Sequence, residues 1–240
     1  MLICDSIYKR YTKQAPYAVE DLTLRIAEGE IFGFLGPNGA GKSTTIKIIV
    51  TLLNSDKGEV SLGSISPKTD PIAYKRLIGY VADEPRFYDK MSANEHLAFI
   101  GDVYDIPYQK RIDRIDQLAS TLRLKDALND EIGSFSHGMK QKLAIMSALL
   151  HEPTLLILDE PMVGLDPKAS FEVKNLLKEL AQEGKIVFFS THVLEVAQQL
   201  CTSLGIIHQG KLIYQGTFSQ LQKERNETLE ELFLELTEKQ

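Results

Sequence analysis

The sequence predicts an α/β fold organised around a mostly parallel sheet. Strand-like segments recur as continuous apolar runs, which is typical of strands buried on both faces of a sheet. Helical stretches separate many of these runs, as crossover connections between parallel strands require. The chain has 240 residues and a hydrophobic fraction of 43%, enough to build a substantial core. The runs occupy residues 22–26, 31–35, 78–81, 155–158, 186–189 and 205–207.

The run at residues 31–35 leads directly into a glycine-rich turn, Gly36-Pro37-Asn38-Gly39-Ala40-Gly41-Lys42-Ser43-Thr44. Between a strand and a helix, the pattern G-x-x-x-x-G-K-[ST] predicts a phosphate cradle, because glycines let backbone N–H groups approach phosphates closely. The helix that begins near Lys42 adds the positive end of its dipole. We expect Lys42 to reach the β- and γ-phosphates and Ser43 to bind Mg²⁺. The Lys-Ser-Thr that closes the pattern disfavours the alternative, a turn that binds no nucleotide.

Composition and charge exclude several functional classes. The two cysteines, Cys4 and Cys201, form no CxxC pair, so neither a disulfide scaffold nor a cysteine zinc site is expected and the reducing cytosol is favoured. A net charge of −6 argues against a nucleic-acid partner. No apolar run approaches the roughly 18 residues of a membrane-spanning helix. The apolar segment at residues 46–53 is interrupted by Lys47 and predicts a buried helix. Any action at a membrane would therefore go through another protein.

The pattern changes between about residues 91 and 151, where no convincing strand occurs. Ser92-Ala93-Asn94-Glu95 is a capping box that opens a helix ending before Pro107. A second helix runs from Pro107 towards Leu124 and a third from about Gly138 to Leu150. The second carries an apolar stripe at helical spacing: Ile112, Ile115, Leu118, Ala119 and Leu122. This block, about 91–151, is interpreted as an inserted all-helical subdomain.

The tail after Thr217, about 217–240, predicts a polar helix with one apolar stripe. We expect this helix to dock on its own domain rather than to bind a partner. The stripe consists of Leu229, Leu232, Phe233 and Leu236.

Two carboxylates, Asp159 and Glu160, end the apolar run at residues 155–158. At the carboxyl edge of a parallel sheet, such residues face the ligand crevice. We expect Asp159 to hold Mg²⁺, directly or through water, and Glu160 to be the general base for the water that attacks the γ-phosphate. Strands commonly end in acidic turns, so the phosphate loop upstream is what gives this pair its meaning.

Other polar residues occupy positions with both a structural and a functional reading. His192 follows the run at 186–189, and we favour contact with the γ-phosphate over a structural role. Asp166 before Pro167 predicts the start of a helix. Ser136 can cap the helix that follows it, and Gly138 leaves the first turn of that helix open to an anion. On its own, that last motif would favour an ordinary capped helix.

Taken together, these elements resemble the ATP-binding subunit of ATP-binding cassette (ABC) transporters over essentially the whole chain. The phosphate loop matches the family's Walker A motif, and residues 155–160 match Walker B. Residues 164–166 match the D-loop and His192 matches the switch histidine. Ser136-His137-Gly138-Met139 matches the signature motif. The resemblance implies a single ATPase domain over residues 1–240, with a P-loop NTPase core, antiparallel strands near the N-terminus and the inserted helical block.

The resemblance also implies how such a subunit works. Two ATPase subunits, identical or related, sandwich two ATP molecules, and the phosphate loop of one faces the signature helix of the other. Ser136, Gly138 and Asp166 would contact ATP in this arrangement, and Glu160, His192 and Lys42 would be catalytic. The family's adenine-stacking aromatic corresponds to Tyr11, with Tyr8 as the fallback and an ordinary surface tyrosine as the alternative. The implied cofactors are ATP and Mg²⁺.

Two departures from the family pattern stand out. Asp83 occupies the position of the Q-loop glutamine; it can still bind nucleotide-associated Mg²⁺ or position water, but it has a shorter reach and no amide donor. The signature motif has His137 and Met139 where the family pattern has glycine and glutamine. The serine and the second glycine are retained, so we expect activity to survive both changes.

The Ser-x-Gly-Met-Lys-Gln form, Asp83 and the C-terminal sequence resemble the subgroup that serves bacterial ABC-2-type exporters of drugs, peptides, polysaccharides or ions. The implied partner is a separate membrane permease, which places the chain peripherally on the cytoplasmic face of the cell membrane. One alternative is a soluble ABC ATPase that acts on ribosomes or DNA. Another is a catalytically weak, regulatory half of a heterodimer, against which Glu160 and His192 both argue.

Overall fold

The computed structural model describes residues 1–225, which contain nine strands and eight α-helices. The strands are β1 (Leu2–Lys9), β2 (Val19–Ile26), β3 (Ile31–Leu35), β4 (Lys57–Leu62), β5 (Ile78–Val81), β6 (Leu155–Asp159), β7 (Ile186–Thr191), β8 (Ser203–His208) and β9 (Lys211–Gly216). The helices are α1 (Lys42–Ile49), α2 (Pro71–Arg76), α3 (Ala93–Val103), α4 (Tyr108–Thr121), α5 (His137–Leu149), α6 (Pro167–Gln182), α7 (Leu194–Leu200) and α8 (Phe218–Arg225). None of these helices is long and apolar enough to cross a membrane.

The strands form two sheets, and their order confirms the predicted architecture. The larger sheet has the order β5-β6-β7-β3-β8-β9; its first five strands run parallel, and β9 is antiparallel to β8. The smaller sheet, β2-β1-β4, is antiparallel. Because β3, β6 and β7 are neighbours with the same direction, the residues that follow them meet at one edge of the sheet.

The core between the two sheets is aromatic and aliphatic. Phe32, Phe34 and Phe188 are fully buried, and the ring centroids of Phe32 and Phe34 lie 5.6 Å and 5.4 Å from that of Phe188. Tyr74 on α2 is also fully buried, and its hydroxyl donates to the carbonyl oxygen of Ile49 at 2.9 Å. This bond satisfies a carbonyl at the end of α1 and fixes the far end of the helix that begins at the phosphate loop.

The segment between β5 and β6 is helical. Ser92 and Glu95 form the predicted capping box of α3, and α4 and α5 follow, with two short 3₁₀ turns between them. The only extended pairing that the described residues show here is a single bridge between Ser92 and Glu131. In the predicted apolar stripe of α4, Ile112 is 41% exposed, while the other four side chains are buried.

Local predictions were wrong at several points. The apolar segment at residues 46–53 is not one helix: α1 ends at Ile49, and Leu52 is 66% exposed. The apolar runs in the sequence also did not predict β1, β4 and β9 as individual strands. In the tail, α8 begins at Phe218 as a helix, but the predicted stripe beyond it lies outside the described residues.

Candidate nucleotide site

The phosphate loop joins β3 to α1 and is held in shape by its own lysine. Nζ of Lys42 donates to the carbonyl oxygens of Gly36 at 2.7 Å and Pro37 at 3.2 Å. Gly41 has φ of 111°, and a Cβ atom there would collide with the carbonyl oxygen of Ala18. Only glycine fits this position, and α1 begins immediately after it. The loop therefore curves around a buried ammonium group at a helix N-terminus.

The opposite wall of the site is built by β6 and β7. Asp159 ends β6 and pairs in register with Ser190 on β7. The buried Ser190 hydroxyl donates to Oδ1 of Asp159 at 2.5 Å and accepts from the backbone N–H of Glu160 at 3.0 Å. One hydroxyl thus orients both carboxylate residues. The sequence patterns did not identify Ser190; the signal is its position on the neighbouring strand, opposite Asp159.

Glu160 lies between a cation and a histidine. Its Oε1 atom is 2.9 Å from Nδ1 of His192 and 3.9 Å from Nζ of Lys42. Its Oε2 atom is buried and has no hydrogen-bond partner among the described residues. Glu160 also has φ of 48°, a left-handed conformation that is rare for this residue type. The carboxylate is therefore tightly placed and keeps one oxygen free to accept a hydrogen bond.

A cavity of about 370 Å³ joins these elements. Most of the predicted nucleotide and metal residues line it: Tyr11, Pro37, Asn38, Gly39, Gly41, Lys42, Ser43, Thr44, Asp83, Asp159 and Glu160, together with Ala18, which the sequence reading missed. Gly36 and Ala40 are buried within the loop, and His192 reaches the site through Glu160. Ser136, Gly138 and Asp166 do not line this cavity.

The structure separates the two candidate tyrosines. Tyr11 is 61% exposed at the cavity, and its hydroxyl is 3.1 Å from Oγ1 of Thr44. Tyr8 instead packs edge-on against Tyr17, with ring centroids 5.5 Å apart, and Nζ of Lys57 lies 5.5 Å from the centroid of the Tyr8 ring. Tyr11 is therefore the tyrosine that has a free face beside the phosphate loop.

The site contains a positive charge on the phosphate loop and negative charges on the side of β6, and these charges shift the pKa values of their neighbours. Burial lowers the pKa of Lys42, and the Glu160 and Asp159 carboxylates offset part of that effect. Partial desolvation raises the pKa of Asp83, and repulsion from Asp159 and Glu160 raises it further. Negative charge therefore accumulates on the β6 side, facing the cationic loop. Such a site favours a ligand that brings a metal cation along with its phosphates.

The signature residues lie on a different surface. Oγ of Ser136 accepts from the backbone N–H of Met139 at 3.3 Å and caps α5, as predicted. Asp166 caps α6 by accepting from the N–H groups of Lys168 and Ala169, each at 2.9 Å. These two helix N-termini meet where His137 contacts the carbonyl oxygen of Val163. They are thus close to each other while lying outside the cavity of their own chain.

Comparison with protein families and curated relatives places this arrangement among known proteins. A family profile described as ABC transporter matches residues 19–163. The chain is 37% identical over 224 residues to the ABC transporter ATP-binding protein NatA of Bacillus subtilis (strain 168), covering 92% of this chain and 91% of that protein. It is also 37% identical over 214 residues to the bacitracin transport ATP-binding protein BcrA of Bacillus licheniformis, covering 89% and 69% of the two chains.

Solved structures agree with this grouping. The structure of an ATP-binding subunit of an ABC transporter superposes with a TM-score of 0.92 at 34% identity, covering 98% of this chain and 99% of that one. An ATP-binding cassette in a dimeric post-hydrolysis state, bound to ADP and Pi, gives a TM-score of 0.79 at 26% identity, covering 90% and 98%.

Proposed function

The chain belongs to the ABC transporter family as an ATP-hydrolysing subunit, and from that premise we propose that it dimerises around ATP and drives a separate membrane permease. The observation that carries this proposal is the cavity in which Lys42, Asp159 and Glu160 face one another. A cationic loop on one side and acidic side chains on the other suit a metal-bound nucleoside triphosphate. The proposed location is the cytoplasmic face of the cell membrane, with the permease as the anchor.

Binding is assigned to the loop and the tyrosine. The backbone N–H groups of residues 36–44 and the N-terminus of α1 would cradle the phosphates, as the conformation of Gly41 allows. The Lys42 ammonium would exchange its two carbonyl partners for phosphate oxygens. The Tyr11 ring would stack on the adenine. Of these groups, Lys42 is the one that would contact the γ-phosphate, which hydrolysis removes.

The oxygen donors of the site fit Mg²⁺. The described residues contain no group of three or more His, Cys, Asp or Glu side chains able to hold a metal by themselves. Ser43 and Asp159, with Asp83 in the same cavity, would therefore share the ion with the nucleotide phosphates. Bound there, Mg²⁺ would neutralise charge on the β- and γ-phosphates.

Hydrolysis is assigned to Glu160 and His192. Glu160 lines the cavity and its Oε2 has no hydrogen-bond partner among the described residues, so the carboxylate would accept a hydrogen bond from a water and orient it for in-line attack on the γ-phosphate. His192 holds the other carboxylate oxygen through Nδ1 and fixes the orientation of the group. The imidazole would then contact the γ-phosphate once nucleotide fills the cavity.

The second nucleotide-binding surface is assigned to a partner subunit. Ser136, Gly138 and Asp166 lie outside the cavity of their own chain, which fits contact in trans with ATP held by another copy or by a related chain. The helix block over about 91–151, treated as a subdomain, would carry this surface. ATP at the interface would join the two subunits, and its hydrolysis would release them.

The permease is proposed to dock in an apolar groove at the C-terminal end of α1, which β5 connects to the nucleotide site. A cavity of about 360 Å³ is lined by Leu52 after α1, Tyr80 on β5, and Ile100 and Tyr104 at the end of α3, among others. Leu52 is two-thirds exposed, as an unpartnered docking residue would be. Tyr80 precedes Asp83 by three residues, and Asp83 lines the nucleotide cavity. A permease segment in this groove would therefore sense nucleotide through a short stretch of chain.

We favour the permease of an exporter as the partner, because the relatives include a protein named for bacitracin transport and one named for linearmycin resistance. The ribosome- or DNA-associated ATPase is the second candidate. It would not need an apolar groove for a segment of a membrane protein.

The test is a pull-down of tagged Glu160→Gln protein from detergent-solubilised membranes of its host, with Mg-ATP present. A polytopic membrane protein in stoichiometric amount is the expected result, and a second cassette beside it would identify a heterodimer. Recovery of ribosomal or DNA-repair proteins without a permease would overturn the proposal.

Two surface variants refine this experiment. Leu52→Ser, in the groove, should lose the permease while retaining ATP binding. Ile112→Ser removes an exposed apolar side chain from α4 outside the groove and should retain the permease. Equal recovery of the permease by both variants would contradict docking in the groove.

A further inference from the structure

Helix α5 begins with a side chain that crosses to the neighbouring loop. Nε2 of His137 lies 3.1 Å from the carbonyl oxygen of Val163. Because a carbonyl oxygen only accepts, Nε2 carries the hydrogen and donates it. The next residue, Gly164, has φ of 73°, and a Cβ atom there would lie 2.8 Å from Cδ2 of His137. Glycine at that position leaves room for the imidazole ring.

Two further side chains of α5 reach the same segment. Gln141, one turn after His137 and almost fully buried, donates from Nε2 to the carbonyl oxygen of Pro161 at 3.5 Å. Lys142 forms a 2.6 Å ion pair with Glu172 on α6, and both side chains are largely buried. Three side chains in the first half of α5 therefore contact residues 161–172. His137 makes the outermost of these contacts, at the exposed end of α5.

We propose that His137 is a positioning residue that ties the turn at residues 136–138 to the loop at residues 161–166, so that both move as one body. This inference rests on the proposed dimer, in which the two elements meet the nucleotide of the other subunit. The ABC pattern has glycine at position 137, which offers no side chain for such a tie. In this chain the signature turn is thus presented together with the loop that ends at Asp166, rather than by the helical block alone.

The tie can be tested in the nucleotide-free chain by hydrogen exchange of the backbone amides at residues 161–166. His137→Ala removes the donor and should raise exchange of this segment. His137→Gln retains a side-chain N–H donor and should restore protection, whereas His137→Leu matches the bulk without a donor and should not. Exchange in the alanine and leucine variants equal to that of the unmodified chain would overturn the proposal.

The consequence for assembly is tested in the Glu160→Gln background. Adding His137→Ala should raise the ATP concentration for half-maximal dimerisation by about fivefold, because assembly must then order the turn and the loop at a cost similar to the free energy of one hydrogen bond. Binding of a fluorescent ATP analogue, measured at protein concentrations where the chain is monomeric, should be unchanged, because His137 does not line the nucleotide cavity. Unchanged ATP dependence of dimerisation would overturn the role in positioning.

Failure of the proposed function and failure of the His137 tie give different results. If the Glu160→Gln parent does not dimerise with ATP, the proposed function fails, and the exchange experiment still decides whether His137 holds the loop. If the Glu160→Gln parent dimerises, His137→Ala and His137→Leu should weaken its dimerisation and His137→Gln should restore it. That result would support both the contact with the loop and its role in assembly.

Discussion

The imidazole of His192 holds the carboxylate of Glu160 at 2.9 Å, across the ends of two neighbouring parallel strands. The same carboxylate oxygen lies 3.9 Å from the ammonium group of Lys42. The proposed base, the histidine that contacts it and the lysine of the phosphate loop therefore form one group of side chains. Ser190, which lies on β7 opposite Asp159, helps to hold this group because its hydroxyl accepts a hydrogen bond from the backbone N–H of Glu160.

Replacement of the base should separate ATP binding from hydrolysis. In Glu160→Gln the amide keeps the size of the side chain but cannot take a proton from water, so ATP turnover should fall by roughly 10²–10⁴-fold. Binding of ATP should persist, and the ATP-bound dimer should accumulate. Steady-state phosphate release and size-exclusion chromatography with Mg-ATP measure the two effects. Hydrolysis at the rate of the unmodified chain would refute the assignment of Glu160 as general base.

The tyrosine beside the loop should contribute to affinity through its ring. Tyr11→Ala should weaken ATP binding by about 1–3 kcal/mol, the range found for stacking of a base on an aromatic side chain. Tyr11→Phe keeps the ring, loses only the contact with Thr44, and should bind nearly as well as the unmodified chain. Equilibrium titration with a fluorescent ATP analogue distinguishes these outcomes. Equal ATP affinity of the alanine variant and the unmodified chain would mean that Tyr11 does not stack on the adenine and is an ordinary surface tyrosine.

Asp83 should make the nucleotide-free protein less stable at neutral pH. Its pKa is raised in the fold, so the folded state binds the proton more tightly than the unfolded chain. The resulting penalty is complete above the folded pKa and disappears as the pH falls below the unfolded value of about 3.9. Asp83→Asn should therefore raise the thermal unfolding midpoint at pH 7, with a smaller gain in acid. Thermal unfolding across pH 4–8 provides the check; a gain that grows towards low pH would contradict this sign.

The buried Tyr74 hydroxyl should stabilise the fold without affecting catalysis. Tyr74→Phe removes its bond to the carbonyl oxygen of Ile49 and leaves that carbonyl unpaired, so the free energy of unfolding should fall by about 1–3 kcal/mol. Turnover at saturating ATP should be unchanged. Tyr108→Phe, at a tyrosine that is 74% exposed, is the matched control and should change stability by no more than about 0.5 kcal/mol. Urea unfolding would compare them, and equal midpoints would show that the bond contributes nothing.

The parts of the fold that sequence patterns predicted are those with local causes. The apolar strand β3, the glycines after it and the start of α1 at Lys42 form one continuous signal, and the capping box at Ser92 defines α3 in the same way. By contrast, β1 and β4 mix polar and apolar residues because one face of the small sheet is open. Their pairing depends on partners far along the chain, which no local window contains.

The site followed the same division. The phosphate loop and the acidic strand end are readable from neighbouring residues, whereas Ser190 gains its role from the register between β6 and β7. The contact between His137 and Val163 joins residues 26 positions apart, and nothing in the sequence around either one predicts it. The family resemblance favoured Tyr11 over Tyr8, and the packing of Tyr8 against Tyr17 adds a structural reason for this choice that no local pattern contains.

The position of β3 between β7 and β8 has a consequence for synthesis of the chain. Strand β3 leaves the ribosome early, but both of its neighbours, Ile186–Thr191 and Ser203–His208, are made more than 140 residues later. Until then the phosphate loop has no sheet to anchor it, so a nascent or truncated chain cannot present a finished nucleotide site. We therefore expect the chain to gain ATP binding only after β7 and β8 have been made and the large sheet is complete.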